Sequence, residues 1–130
     1  MNTPWDFAEK HQSPDGFHTV EYEELNEIAM GGPLSGVCYI NDGHSKIKLA
    51  GRFGGPPVWS TDNKYVAIPK WIDRNDQRIA LLDVYGNNLQ ESKTKYRFLK
   101  LESFENGIIK GIDNPIHKTQ KVEVAVGEFE

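Results

Sequence analysis

The sequence predicts an all-β domain. It is built of antiparallel, blade-like meanders that form a small sandwich or open barrel, with at most one short N-terminal helix. Three observations predict this. From Gly54 to Gly86, short β-branched and aromatic runs alternate with turn clusters: Tyr65–Ile68 and Ile79–Tyr85 are set off by Ser60-Thr61-Asp62-Asn63, Asp73-Arg74-Asn75-Asp76 and Gly86-Asn87-Asn88. Strict alternation recurs at Val20/Tyr22 and at Val122/Val124/Val126. About eight such segments follow one another at the spacing of a stacked or closed β fold. At 130 residues the chain is one domain, 1–130, large enough to bury a core without covalent staples.

Taken in order, Thr3-Pro4-Trp5-Asp6 reads as a helix start: Thr3 caps, and Pro4 suits the first turn. Ser13-Pro14-Asp15-Gly16 must end any such helix. His18–Glu23 is a strand with one apolar and one acidic face; Glu24 breaks the alternation, Leu25-Asn26 make a bulge or a tight turn, and Ile28 and Met30 continue the strand-like pattern to Gly31-Gly32-Pro33. Val37–Ile40 and Ile47–Leu49 are strands around the Asn41-Asp42-Gly43 turn. After the central stretch, Asn87–Thr94 reads as loop and Tyr96–Phe104 as one long bulged strand or a pair. Glu105-Asn106-Gly107 turns into Ile108-Ile109, and Lys121–Phe129 is the terminal strand. The expected core includes Trp59, Tyr65, Ile68, Leu81 and Val84.

Ser13-Pro14-Asp15-Gly16-Phe17-His18 is echoed by Ser60-Thr61-Asp62-Asn63-Lys64-Tyr65 at an offset of 47 residues. A period in the forties suits a four-stranded blade. Pro57, Trp59, Ser60, Asp62, Lys64, Asp83 and Gly86 make this segment resemble the blade repeat of TolB-type and WD-type β-propellers, with Thr61 and Asn63 where Pro and Gly are usual. The resemblance implies blade geometry locally. A closed ring needs more blades than 130 residues supply. As a whole the chain is similar in type to small bacterial all-β proteins.

Composition bounds the chemistry. No apolar run approaches a membrane span and no leader pattern opens the chain, so a cytoplasmic protein without membrane contact is expected. Cys38 is the only cysteine and lies in an apolar run, as a small buried hydrophobe. None of His11, His18, His44 and His117 stands two to four residues from another, so no local metal motif exists; His18, His44 and Asp42 would have to be assembled by folding. Ser35 lacks a nucleophile-elbow context. The Gly-Gly pairs precede proline, which removes the donors a phosphate loop needs. No cofactor is implied, and the balance leans away from an enzyme.

The net charge of −4 is unevenly spread: residues 1–44 hold eight acidic side chains and a single lysine. Lys93, Lys95, Arg97 and Lys100, interleaved with Tyr96 and Phe98, are the one basic cluster, but the acidic total argues against nucleic acid. The leading expectation is a protein-binding module of immunity or antitoxin type that meets a basic partner through Glu21, Glu23, Glu24 and Glu27. The alternative is a small-ligand-binding domain or small enzyme with an aromatic pocket of Trp59, Tyr65 and Trp71. Converging His and Asp groups in a cavity favour the second reading; a flat acidic face favours the first.

Overall fold

The computed structural model describes residues 2–116 and 118–129. Twelve strands form it: β1 (Lys10–Gln12), β2 (Thr19–Glu27), β3 (Leu34–Asn41), β4 (Lys46–Lys48), β5 (Arg52–Phe53), β6 (Val58–Trp59), β7 (Tyr65–Trp71), β8 (Gln77–Asp83), β9 (Asn88–Glu91), β10 (Leu99–Glu105), β11 (Ile108–Asp113) and β12 (Gln120–Ala125). All pairings are antiparallel. No helix among the described residues is long and apolar enough to cross a membrane.

Two four-stranded meanders, β1-β2-β3-β4 and β6-β7-β8-β9, are joined by β5, which pairs with β3 through Phe53↔Gly36 and with β7 through Arg52↔Trp71. The separate sheet β10-β11-β12 completes the molecule. The β7–β8 pair lies between two cores. Val66, Ile68, Ala80 and Leu82 face Val20, Tyr22, Cys38, Ile40 and Phe53. Ala67, Ile79 and Leu81 face Leu99, Leu101, Phe104, Ile109, Val122 and Val124. The molecule is thus three β layers deep. A central layer covered on both faces needs apolar side chains at consecutive positions, which is why β7 and β8 read as continuous apolar runs while β2 alternates.

Glycines permit two bulges. The β2 register shifts between Glu23 and Asn26, and a Cβ on the facing Gly36 would lie 2.9 Å from Glu23 O and 2.8 Å from Leu25 Cδ2. The β10 register shifts between Leu101 and Ser103, and a Cβ on the facing Gly111 would meet Leu101 Cα at 2.9 Å. Neither close approach tolerates a side chain.

Several sequence expectations are corrected. Thr3 caps a turn and not a helix: its Oγ1 accepts the N–H groups of Trp5 (3.2 Å) and Asp6 (3.1 Å), and Thr3 and Asp6 then bridge as paired backbone. Lys10–Gln12, within the segment expected to be helical, is strand because it pairs with β2. Asn88–Glu91, expected as loop, is β9, held at the edge of β8. Tyr96–Phe98 precede β10: Tyr96 instead bridges Gln77, and Asp113 Oδ1 accepts the N–H groups of Arg97 and Phe98. The last strand stops at Ala125, and Val126–Glu128 form a 3-10 turn.

Ile68, Leu81 and Val84 are buried as expected. Trp59 and Tyr65 are half-buried and pack on opposite cores.

Candidate functional site

The two echoed turns adopt the same hydrogen-bonded form. Ser13 Oγ donates to Asp15 Oδ1 at 2.6 Å, and Ser60 Oγ donates to Asp62 Oδ1 at 2.6 Å. Asp15 Oδ1 then accepts Phe17 N–H (3.1 Å), as Asp62 Oδ1 accepts Lys64 N–H (3.0 Å). Ser13 Oγ accepts His18 N–H (3.2 Å), as Ser60 Oγ accepts Tyr65 N–H (3.0 Å). The residue at positive φ is Gly16 in one turn and Asn63 in the other, the types that adopt this region most readily. The serine hydroxyl is the largest cause holding each aspartate below the usual carboxylate range, and the accepted backbone N–H comes next. Asn63 Oδ1 accepts Asp15 N–H at 2.9 Å, tying the turns together.

This places one end of the molecule under dense local control. The Ser13 turn, the Asp42 turn, the Ser60 turn and the Asp83 turn all lie there, because Thr19 pairs with Asn41 and Tyr65 with Asp83. Asp42 Oδ1 accepts the N–H groups of His44 and Ser45, each at 2.8 Å, and Asp83 Oδ1 those of Tyr85 and Gly86, each at 3.1 Å. Ser45 N–H is the first cause holding the Asp42 carboxyl below its ordinary range.

A cleft of about 280 Å³ opens between these turns, lined by His18, Ile40, Asp42, Ile47, Val84, Tyr85 and Asn87. His18 is only 7% exposed, yet its Nδ1 is closed from solvent without a hydrogen-bond partner among the described residues. Its ring meets Tyr85 edge-on at 5.2 Å between centroids and lies tilted to Trp59 at 6.4 Å. A buried polar group with no partner costs about 1–3 kcal/mol and calls for an explanation. At the rim, Tyr85 is 63% exposed and Ile47 42% exposed.

The expected site residues fall elsewhere. Glu21 and Glu23 do share the outer face of β2, but Lys46 reaches across from β4 to both, at 3.5 Å and 2.5 Å. Glu21 also accepts from Asn41 Nδ2 at 2.8 Å, the chief cause of its lowered pKa. Lysines from β1 and β4 flank this face, since Lys10 stands opposite Glu21 and Lys48 opposite Tyr39 of β3. The face carries mixed charge. Glu24, at the bulge with φ 56°, and Glu27 are exposed and make no ion pair among the described residues.

Trp59, Tyr65 and Trp71 do not share a cavity. Trp59 Nε1 donates to His11 O at 3.1 Å. Tyr65 borders a second cleft with Ser60, Asp62, Phe104 and Asn106. Trp71 is buried at the far end of β7, with Nε1 donating to Leu34 O at 3.1 Å.

Of the three residues that folding would have to assemble, His18 and Asp42 line one cleft, while His44 is exposed and does not line it. No group of three or more metal-ligating side chains exists among the described residues, and His117 lies outside them. Cys38 is fully buried, and burial pushes its thiol far up, which removes it as a nucleophile. Sequence reasoning missed Tyr85 and Asn87 as site residues. The Gly86-Asn87-Asn88 turn signal marked their loop, but nothing local showed that it faces His18.

No family model matches the chain, and no match is found among curated proteins or solved structures.

Proposed function

We propose that the chain is a non-catalytic protein-binding module that grips its partner at the turn end, around the His18 cleft. The carrying observation is the buried His18 ring with an unpaired nitrogen, set in a cleft rimmed by exposed Tyr85 and Ile47. At about 280 Å³ the cleft has room for one anchoring side chain of a partner. The aspartate-capped turns supply rigidity, so little ordering entropy is lost on binding. An immunity or antitoxin role toward a basic protein fits the charge pattern: Glu24 and Glu27 add negative field that would speed a cationic partner's approach, while Glu21 and Glu23 are largely answered by Lys46. Trp59, Tyr65 and Trp71 are dispersed, so no aromatic pocket supports the small-ligand alternative; it keeps one observation in its favour, the convergence of His18 and Asp42 on a single cleft.

The test is site-specific photo-crosslinking in the native host, with a benzophenone side chain placed in turn at Tyr85, Ile47 and Met30. Met30 is fully exposed and lies in the β2–β3 hairpin at the opposite end. The expected result is one shared adduct from Tyr85 and Ile47 and none from Met30. An adduct from Met30 alone, or equal labelling from all three, contradicts the proposal.

A further inference from the structure

The cleft has a definite chemical bias. Asp42 stands on its rim as a carboxylate whose Oδ1 is held by two backbone N–H groups. Tyr85 offers an exposed ring face, and Asn87 an amide. Among the described residues no lysine or arginine lines the cleft. Alternation along β4 turns Ile47 inward and sends Lys46 to the opposite face, where Glu21 and Glu23 bind it. Lys64, whose backbone carbonyl accepts Val84 N–H, acts electrostatically on Asp62. His18 is among the minor causes that hold the Asp15 carboxyl low, so a second negative charge stands near the ring.

We infer that the His18 cleft is a cation-binding anchor site that takes a guanidinium-bearing side chain of the partner. This deepens the protein-binding reading and rests on it. A guanidinium is planar, always charged and rich in N–H donors. It stacks on Tyr85 while donating to Asp42, at the mouth of the cleft that the His18 ring lines. A compact ammonium satisfies the charge but not the stacking. A neutral apolar anchor leaves Asp42 unanswered.

The probes are N-acetyl-arginine amide and its neutral isostere N-acetyl-citrulline amide, titrated into the full chain and followed by amide ¹H–¹⁵N shifts. The arginine probe is expected to give saturable shifts at Asp42–Ser45 and at Tyr85–Asn87, with citrulline weaker by roughly tenfold or more. Asp42→Asn should weaken the arginine probe by about tenfold and keep the turn, because the asparagine oxygen still accepts the two backbone N–H groups. Tyr85→Leu, at a largely exposed position, should weaken it by a smaller factor. Glu24→Gln with Glu27→Gln should change nothing.

Equal binding of citrulline overturns the inference, as do shifts centred on Glu24 and Glu27 or no shifts at all. Failure here, with adducts still forming at Tyr85 and Ile47, removes the cation preference and leaves the protein-binding reading standing. Arginine binding at the cleft with no adducts at Tyr85 and Ile47 keeps the cation preference but contradicts the protein-binding reading and, with it, the assignment of the guanidinium to a partner's side chain.

Discussion

The Ser13 and Ser60 turns share their internal hydrogen bonds but present different rings to the next layer. Tyr65 follows the second turn, is half-buried and stacks on Phe104 at 6.3 Å with an interplanar angle of 23°. His18 follows the first turn, is more deeply buried, and leaves Nδ1 unpaired among the described residues. Each ring borders a cleft beside a hairpin of the facing layer, with Tyr85 and Asn87 in one case and Phe104 and Asn106 in the other. The serine and aspartate set the backbone in both places. What the turn offers to another molecule is decided by the single residue after it. At Tyr65 the ring leaves no buried polar atom unpaired among the described residues, and at His18 it does.

The comparison presumes that the layers carrying the two turns are independently well packed. Leu82 fills the core between the first two layers and Leu81 the core between the last two, both at 1% exposure. Leu82→Ala and Leu81→Ala should each cost about 2–5 kcal/mol in equilibrium urea unfolding. A loss below about 1 kcal/mol at either position would show that its layer packs loosely, and the comparison would lose its frame.

The equivalence of the turns is sharpened one step down in size. Ser13→Ala and Ser60→Ala each remove a hydroxyl that both donates to an aspartate and accepts a backbone N–H. Each should cost about 1–3 kcal/mol. Near-equal losses support equivalent scaffolds, whereas a large cost at one turn and none at the other breaks the equivalence.

Acid titration probes the same pair. Asp15 and Asp62 both have folded-state pKa values below their ordinary ones. Their contribution is therefore present above the unfolded carboxylate range, near about pH 4, and is lost as pH falls through the folded values. Asp15→Asn and Asp62→Asn should each flatten the acid limb of the stability curve below about pH 4, and by similar amounts. A limb unchanged by either substitution would assign the acid sensitivity to other carboxylates, Asp42 and Glu21 among them.

These turns were legible in the sequence because their chemistry is local. A serine, an aspartate two residues on and a glycine or asparagine after it specify the loop without reference to the rest of the chain. The all-β class was legible for a similar reason, since alternation and turn spacing are short-range signals. The N-terminal cap chemistry was also visible, but Thr3 serves a turn as readily as a helix, and the pairing of Lys10–Gln12 with β2 decided between them.

What sequence could not show depends on residues far apart. β5 bridges the two meanders through only a few pairs. Gln77, buried in the central layer, accepts Leu99 N–H through its side chain at 2.7 Å and bridges Tyr96 through its backbone. It therefore ties the third layer to the second, yet it sits in an unremarkable polar stretch. The acidic face looked uniform in sequence because Lys46, which neutralises it, lies 23 residues from Glu23. The missing partner of His18 is likewise a property of the assembled layers.

The most direct test of the central claim is equilibrium unfolding of His18→Phe beside Tyr65→Phe at neutral pH. If the His18 ring is held unpaired for recognition, an apolar ring of similar shape removes an unsatisfied polar group. His18→Phe should then stabilise the fold by about 0.5–1 kcal/mol, while Tyr65→Phe changes it by less than about 0.5 kcal/mol. Destabilisation of about 2 kcal/mol or more by His18→Phe would contradict the account, because it would mean that the imidazole already has a structural partner and that the cleft is not waiting for one.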